Sequence, residues 1–390
     1  MTPAARIAAA IELLDAVLAG QPAEKALTTW ARRSRFAGAK DRAAIRDHVF
    51  DALRCRRSCA ALGGAESGRG LMLGALRAAG RDPAEVFTGA GHAPAPLSAD
   101  EAAPGVTLTD LPEEVALDCP DWLAPRLRAS LGADFAPVLQ ALRQRAPVFL
   151  RVNLRRATVA EAQARLAGEG IATAPHPLSP TALEVLENAR KVQGSAAFRD
   201  GLVELQDAAS QAITDLLPLS DGLKVLDYCA GGGGKTLAMA GRAEARFFAH
   251  DANPQRLRDL PARAERAGVA VRLLPGADLE QEAPFGLVLC DVPCSGSGAW
   301  RRSPEGKWRL TAQELDRLTD TQAAILNRAA DLVTPGGWLA YATCSLLDEE
   351  NGARVSDFLD HRAGFALRTQ RRLTPLDGGD GFFLAVMQRA

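Results

Sequence analysis

The sequence predicts an α/β protein in three parts: an all-helical domain over residues 1–137, a small mixed α/β segment over 138–215, and a domain over 216–390 built on a parallel sheet with helices on both faces. Two observations carry this. From Leu223 onward, short apolar runs alternate with helical patterns, and such alternation buries both faces of a parallel sheet. From Ile7 to about Ala79, apolar residues recur at helical spacing, as in Ile7, Ile11, Leu14, Val17 and Leu18, without β-branched alternation. A length of 390 residues exceeds one ordinary core, and 47% hydrophobic residues suffice to fill two or three.

After the first helical run, Gly89 to Gly105 is rich in Ala, Pro and Gly and lacks either periodicity, which predicts a linker or loose excursion. Helical spacing resumes near Leu111 and continues to about Gln144. In the middle segment, Pro147–Asn153 and Ala182–Leu186 read as strands around a helix over Val159–Gly168. The last domain's strands are expected at Lys224–Tyr228, Ala245–His250, Val269–Leu274, Leu287–Asp291 and Trp338–Thr343, followed by an antiparallel pair at Phe365–Arg368 and Phe382–Gln388.

Composition excludes several classes. No run approaches the roughly 18 apolar residues of a membrane span, and no basic-then-apolar leader opens the chain, so cytoplasmic residence is expected. Seven cysteines in so long a chain are no disulfide framework, and Cys55 and Cys59 lack the second close pair that a zinc site needs; no metal is expected. A formal charge of -1 excludes a uniformly basic nucleic-acid binder, so any such affinity must be local. One basic patch lies between Lys25 and Arg57, where ten Lys and Arg face only Asp41, Asp47 and Asp51; it reads either as a solvated helical face or as an RNA surface.

The first strand of the sheet runs directly into Cys229-Ala230-Gly231-Gly232-Gly233-Gly234-Lys235-Thr236. Consecutive glycines permit positive φ and close approach of a ligand, and a helix starting near Lys235 turns its positive end toward it. The GxxxxGK[ST] phosphate loop fails because Cys229 stands where its first glycine belongs, and the dinucleotide GxGxxG fails at Thr236. Asp251, Asp278 and Asp291 follow the next three strands. Three carboxylates suit a ligand with a ribose, an exocyclic amine and a cationic amino-acid moiety, which describes S-adenosylmethionine, and they repel a phosphorylated nucleotide.

Two cysteines also stand at strand ends in Gly- and Ser-rich loops: Cys294 in DVPCSGSG and Cys344 in ATCS. Open α/β sheets bind ligands beyond the carboxyl ends of their strands, so both thiols should face the cofactor's crevice, whereas Cys229 and Cys290 read as packing. Such thiols answer a chemical need. Carbon 5 of cytosine is too weak a nucleophile to take a sulfonium methyl group unaided, but thiolate addition at carbon 6 makes it enamine-like. A base must then remove the carbon 5 proton and the sulfur must leave. The pattern does not tell which cysteine attacks.

These stretches, with RVN at 151–153, LQDAASQ at 205–211, DVPCSGSGAWRRSPEGKW, ATCSLLDEEN and the closing DGFF, resemble the Fmu/Sun family of RNA cytosine-5 methyltransferases from roughly Pro147 to the end of the chain. The helical part resembles the NusB-like RNA-binding domain of bacterial members that methylate 16S ribosomal RNA. The resemblance implies a Rossmann-like methyltransferase domain, Cys344 as nucleophile, Cys294 assisting product release, and Lys235 and Asp291 as catalytic assistants. It further implies that Cys229 to Lys235 wrap the methionine part of the cofactor, Asp251 and Arg256 hold the ribose, Asp278 meets the adenine and Asp291 lies by the reacting centre. RNA is the implied partner and nothing demands more than a monomer. A transfer-RNA cytosine-5 methyltransferase and a non-catalytic RNA-binding scaffold are the competing readings, the latter opposed by the intact Cys344, Cys294, Lys235 and Asp291. The family commonly has Ala-Pro where this chain has Gly231-Gly232, which predicts a more flexible loop. Arg301 and Arg302 are expected in a loop leaving the site, either solvated or touching phosphates or a base.

Overall fold

The computed structural model describes residues 1–103 and 105–390, which form two compact units. The first comprises Met1–Arg145 with Trp300–Arg309, the second Ala146–Ala299 with Leu310–Ala390.

In the first unit, α1 (Pro3–Leu18), α2 (Ala23–Arg33), α3 (Ala39–Arg54), α4 (Arg56–Gly63) and α5 (Gly68–Ala78) bury the apolar stripe seen in the sequence, with Ile7, Leu14, Ile45, Leu53 and Leu71 at its centre. The α4–α5 crossing is close enough to need glycine: a Cβ on Gly63 would lie 1.8 Å from the carbonyl oxygen of Gly70, and one on Gly74 1.9 Å from that of Cys59. The Gly89–Gly105 stretch is mostly irregular, as expected, but tied down. Arg69 donates to the carbonyls of Ala95 and Pro96 and to the Glu101 carboxylate. Position 104, within that stretch, lies outside the described residues.

Trp300–Arg309 completes the helical unit. Trp308 donates its indole N–H to the Leu53 carbonyl at 2.7 Å, Arg54 donates to the Arg301 carbonyl at 2.6 Å, and Glu305 accepts from the backbone N–H of Ala23 at 3.1 Å. These groups cover the end of α3 and the start of α2. This corrects the expectation for Arg301: its side chain is buried, neither solvated nor offered to a phosphate, whereas Arg302 is exposed.

The second unit holds two sheets. β1 (Val148–Val152), β2 (Thr173–Pro175), β3 (Ala182–Val185) and β4 (Val203–Leu205) form an antiparallel sheet in the order β2-β3-β1-β4. The helix Val159–Gly168 covers it, started by a Thr158/Glu161 capping box. β2 and β4, three residues each, were too short to show a period.

The larger sheet contains β5 (Lys224–Asp227), β6 (Arg246–Ala249), β7 (Val271–Leu273), β8 (Phe285–Asp291), β9 (Val333–Thr343), β10 (Phe365–Leu373) and β11 (Phe382–Arg389), ordered β10-β11-β9-β8-β5-β6-β7. β5 to β9 run parallel, and β11 enters antiparallel between β9 and β10. Alternate residues feed the two faces: Val225, Leu287 and Ala340 pack on one side, Leu226, Val288 and Leu339 on the other. This is the parallel sheet the alternation predicted, in the Rossmann-like arrangement the resemblance implied. From β5 the chain proceeds to β6 on one side and β8 on the other, so a crevice opens beyond the carboxyl ends of β5 and β8. No helix among the described residues is long and apolar enough to cross a membrane.

Candidate active site

Past β5 the chain turns through Gly231 at φ +50° and Gly233 at φ +78° into the helix Gly234–Ala240. Gly233 is favoured twice over: L side chains rarely adopt its φ, and a Cβ there would lie 2.1 Å from Cδ1 of Leu260, so the leucine would have to shift. Gly231 explains the departure from Ala-Pro in part, since its own positive φ disfavours any side chain. The turn is braced rather than loose. Asp251, at the end of β6, accepts the backbone N–H of Gly231 at 3.0 Å and that of Asn253 at 2.9 Å, and pairs with Arg256 at 3.0 Å. Arg151 of the RVN stretch donates to the carbonyl of Gly234 at 2.8 Å and to the side chain of Gln206.

Asp251 and Arg256, five positions apart, are thus the two groups expected at a ribose, but they are bonded to each other, and Asp251 also to the turn. Asp278, half-buried past β7, makes no side-chain hydrogen bond or ion pair among the described residues, so its carboxylate is left to accept from a ligand. Asp291, at the end of β8, is bonded to Lys235 at 2.6 Å. A glycine floor lined by carboxylates fits S-adenosylmethionine: the chemistry of Asp278 suits an exocyclic amine, that of Asp251 a ribose, and the acidic surroundings suit a cationic amino acid. The seven-residue helix Gly234–Ala240 is too short to supply much dipole.

The cysteine loops meet beside this turn. β8 and β9 are parallel neighbours, so the segments leaving them lie side by side, and Cys294 and Cys344 approach with Sγ to Sγ at 3.4 Å. The hydrogen bond to Cys344 and burial push the Cys294 thiol well above its ordinary value, so it keeps its proton. Burial opposes the charge of Lys235, but the charge and hydrogen bond of Asp291, with a contribution from Cys344, outweigh it and hold the ammonium protonated. Its Nζ stands 4.9 Å over the ring of Phe382 from the closing DGFF. That tail is set by backbone contact: Gly381 donates to the carbonyl of Gly298 at 2.9 Å, and a Cβ on Gly298 would lie 2.2 Å from the carbonyl oxygen of Gly381. Cys229 and Cys290 are pushed up by burial, as inert thiols are, and Cys290 lies within the core.

Sequence reasoning missed two features. One is the polar cluster under the cysteine loops, formed by Ser295, Ser297, Gln322, Ser345 and Glu350; its only sequence signal was a serine after each cysteine. The other is Asp227. This carboxyl at the end of β5 is buried, accepts from the Thr236 hydroxyl at 2.7 Å through Oδ2, and leaves Oδ1 without a partner. Burial, reinforced by Asp291 and opposed by the Thr236 hydrogen bond and Lys235, pushes its pKa up to about 7.

A stability effect with a definite sign follows. Between pH about 4 and 7 the folded chain holds a proton on Asp227 that the unfolded chain has lost, so this contribution is complete below the unfolded value and disappears as pH rises through about 7. Asp227→Asn cannot ionise. Its stability relative to the parent protein is expected to rise by roughly 3–5 kcal/mol from pH 4 to pH 8, at about 1.4 kcal/mol per pH unit across the window. Urea midpoints of both proteins across that range check it; a difference that does not change with pH would exclude the buried proton.

In the first unit the basic patch is smaller than its composition suggested. Arg46 pairs with Glu24, Arg54 with Asp51, Arg56 with Glu66 and Arg57 with Asp121. Lys25, Arg32, Arg33, Arg35 and Lys40 remain exposed without ion pairs among the described residues, around the α2–α3 turn. At its tip Phe36 is 75% exposed.

With this geometry in hand, comparison with known proteins gives a consistent result. Residues 214–388 match the family model described as 16S rRNA methyltransferase RsmB/F, and residues 119–193 match the ferredoxin-like domain of RsmF/B-like methyltransferases. The chain is 35% identical over 280 residues to ribosomal RNA small subunit methyltransferase B of Salmonella arizonae, and 34% identical over 284 residues to that of Vibrio cholerae. These matches take in 68% and 69% of this chain and 65% of each relative's length. Among solved structures, the protein PH0851 superposes with a TM-score of 0.77 at 23% identity, covering 100% of this chain and 99% of its own. A methyltransferase homolog protein from Pyrococcus horikoshii superposes with a TM-score of 0.63 at 24% identity, covering 73% of this chain and 100% of its own. At such identities the structures speak for the fold alone.

Proposed function

Because the chain belongs to the Fmu/Sun (RsmB/F) family of RNA methyltransferases, we propose that it methylates carbon 5 of a cytosine in small-subunit ribosomal RNA, with S-adenosylmethionine as donor and Cys344 as covalent nucleophile. The observation that carries this reading is the contact of two thiols at 3.4 Å, at the ends of adjacent parallel strands and beside the Lys235–Asp291 pair. Methylation of an exocyclic amine needs no thiol; a pyrimidine carbon needs one.

When bound, S-adenosylmethionine supplies an electrophilic methyl group. The residues of the chain do the rest. The Cys344 sulfur adds to carbon 6. The π electrons of the ring move toward carbon 5, which becomes nucleophilic. Once carbon 5 is methylated, a base takes its proton, the C5–H pair becomes the C5=C6 bond, and the C6–S bond breaks with its electrons on sulfur. Cys294, which keeps its proton and touches Cys344, delivers that proton to the departing thiolate. Asp291, held by Lys235 at the end of β8, serves as that base. The target base must leave its stack to reach the sulfur. The exposed Arg and Lys around Phe36 supply phosphate contacts and a stacking ring for single-stranded RNA.

The test is transfer of labelled methyl groups from S-adenosylmethionine to 16S ribosomal RNA and, separately, to transfer RNA, with bisulfite sequencing of the product. Label resistant to bisulfite conversion at one cytosine of 16S RNA is expected. Label on transfer RNA alone would redirect the substrate, and label on any atom other than a cytosine carbon 5 would overturn the chemistry.

A further inference from the structure

Each cysteine of the site is followed by a serine, and both serines donate to one buried carboxylate. Glu350 is fully buried. Its Oε1 accepts the backbone N–H of Ser295 at 2.8 Å and the side-chain amide of Gln322 at 2.9 Å. Its Oε2 accepts the hydroxyls of Ser295 and Ser345, each at 2.5 Å. Gln322 also donates to the Pro293 carbonyl, so the loop is held on both sides of Cys294. Ser297 completes the arrangement, its hydroxyl accepting the backbone N–H of Leu346 at 2.7 Å. The loops leaving β8 and β9 are thus joined through one anion rather than through direct contact alone.

We propose that Glu350 is the positioning residue that sets the spacing of the two thiols, clamping the Cys294 and Cys344 loops through Ser295 and Ser345; this rests on the function proposed above. The physical reason is cost. A buried carboxylate is tolerated only with its lone pairs filled, and here four donors fill them, so a shift of either loop strands a charge in the interior. The penalty makes one loop separation far more favourable than its neighbours. Proton delivery from Cys294 to Cys344 needs such constancy, because a sulfur displaced by 1 Å loses the contact. Three serines alone would tolerate several pairings, since hydroxyls rotate and exchange roles.

Two variants test this, Ser295→Ala/Ser345→Ala and Glu350→Gln. Gln fills the same volume, but its NH₂ cannot accept from Ser295 and Gln322 as the carboxylate does. The first readout needs no RNA: diamide oxidises thiol pairs in contact, and the rate of Cys294–Cys344 disulfide formation is followed by mass spectrometry on the full-length protein. That rate is expected to fall by at least roughly tenfold in both variants, while S-adenosylmethionine affinity by calorimetry stays within about twofold. The second readout is methyl transfer, where kcat should fall by about a hundredfold with KM for RNA and cofactor nearly unchanged. If Glu350→Gln does not fold, the double serine variant, which removes two tethers and leaves the carboxylate with two donors, carries the test. Unchanged disulfide formation in the folded variant overturns the proposal whatever the RNA assay gives. Slowed disulfide formation in a protein whose parent methylates no cytosine upholds the clamp and refutes the function instead.

Discussion

Cys344→Ala is expected to abolish methyl transfer, lowering the rate by at least about 10⁴-fold, or roughly 5.5 kcal/mol of transition-state stabilisation, while the protein still binds S-adenosylmethionine. The size follows from the chemistry. Without a sulfur on carbon 6, carbon 5 of the ring has no electron pair to offer, and proximity to the methyl donor cannot compensate. The cofactor should scarcely notice the loss, because the groups proposed to hold it, at Gly231 to Gly234, Asp251 and Asp278, bond to one another or stand open, and the thiol of Cys344 bonds instead to Cys294. Single-turnover assays with labelled cofactor and calorimetry on the same preparation separate the two quantities. A variant that methylates at more than a few per cent of the parent rate would remove Cys344 from the nucleophile's role.

Cys294→Ala should behave oppositely in one respect: product fails to leave, and a protein–RNA adduct that survives denaturing electrophoresis accumulates to near one equivalent of enzyme. The reasoning starts from the thiol's proton. Cys294 is held protonated by its hydrogen bond to Cys344 and by burial, and lies 3.4 Å from the sulfur that must depart. Alanine removes the donor, and the elimination slows while addition and methyl transfer proceed. The double variant with Cys344→Ala should form no adduct, because the two residues act in sequence on one bond and their effects do not add. If Cys294→Ala turns over normally, water or Lys235 supplies the proton; if the adduct persists in the double variant, it forms on another cysteine and both assignments fall.

Much of the fold was legible because its signals are local. The five parallel strands fell within a few residues of their predicted positions, since a strand buried on both faces is a short apolar run between turn residues. The helical unit declared itself through its 3.6-residue stripe. β2 and β4 escaped notice because three residues carry no period, and the burial of Arg301 escaped because an arginine in a Gly- and Ser-flanked loop looks solvated until the tertiary structure is known. The carboxylates at the strand ends were found by position alone, yet position did not disclose that Arg256 would lie on Asp251.

By itself the sequence determined which chemical groups are present and at which end of the sheet they stand: a bare glycine turn, three strand-end carboxylates and two thiols in polar loops, each readable from neighbours within a few positions. Only the tertiary structure decided that two sulfurs 50 residues apart touch, and that Ser295 and Ser345 share Glu350 beneath them. The physical reason is strand order. Parallel pairing of β8 with β9 brings the ends of two distant segments side by side, and pairing between distant strands is fixed by the packing of the whole sheet, which no local pattern encodes.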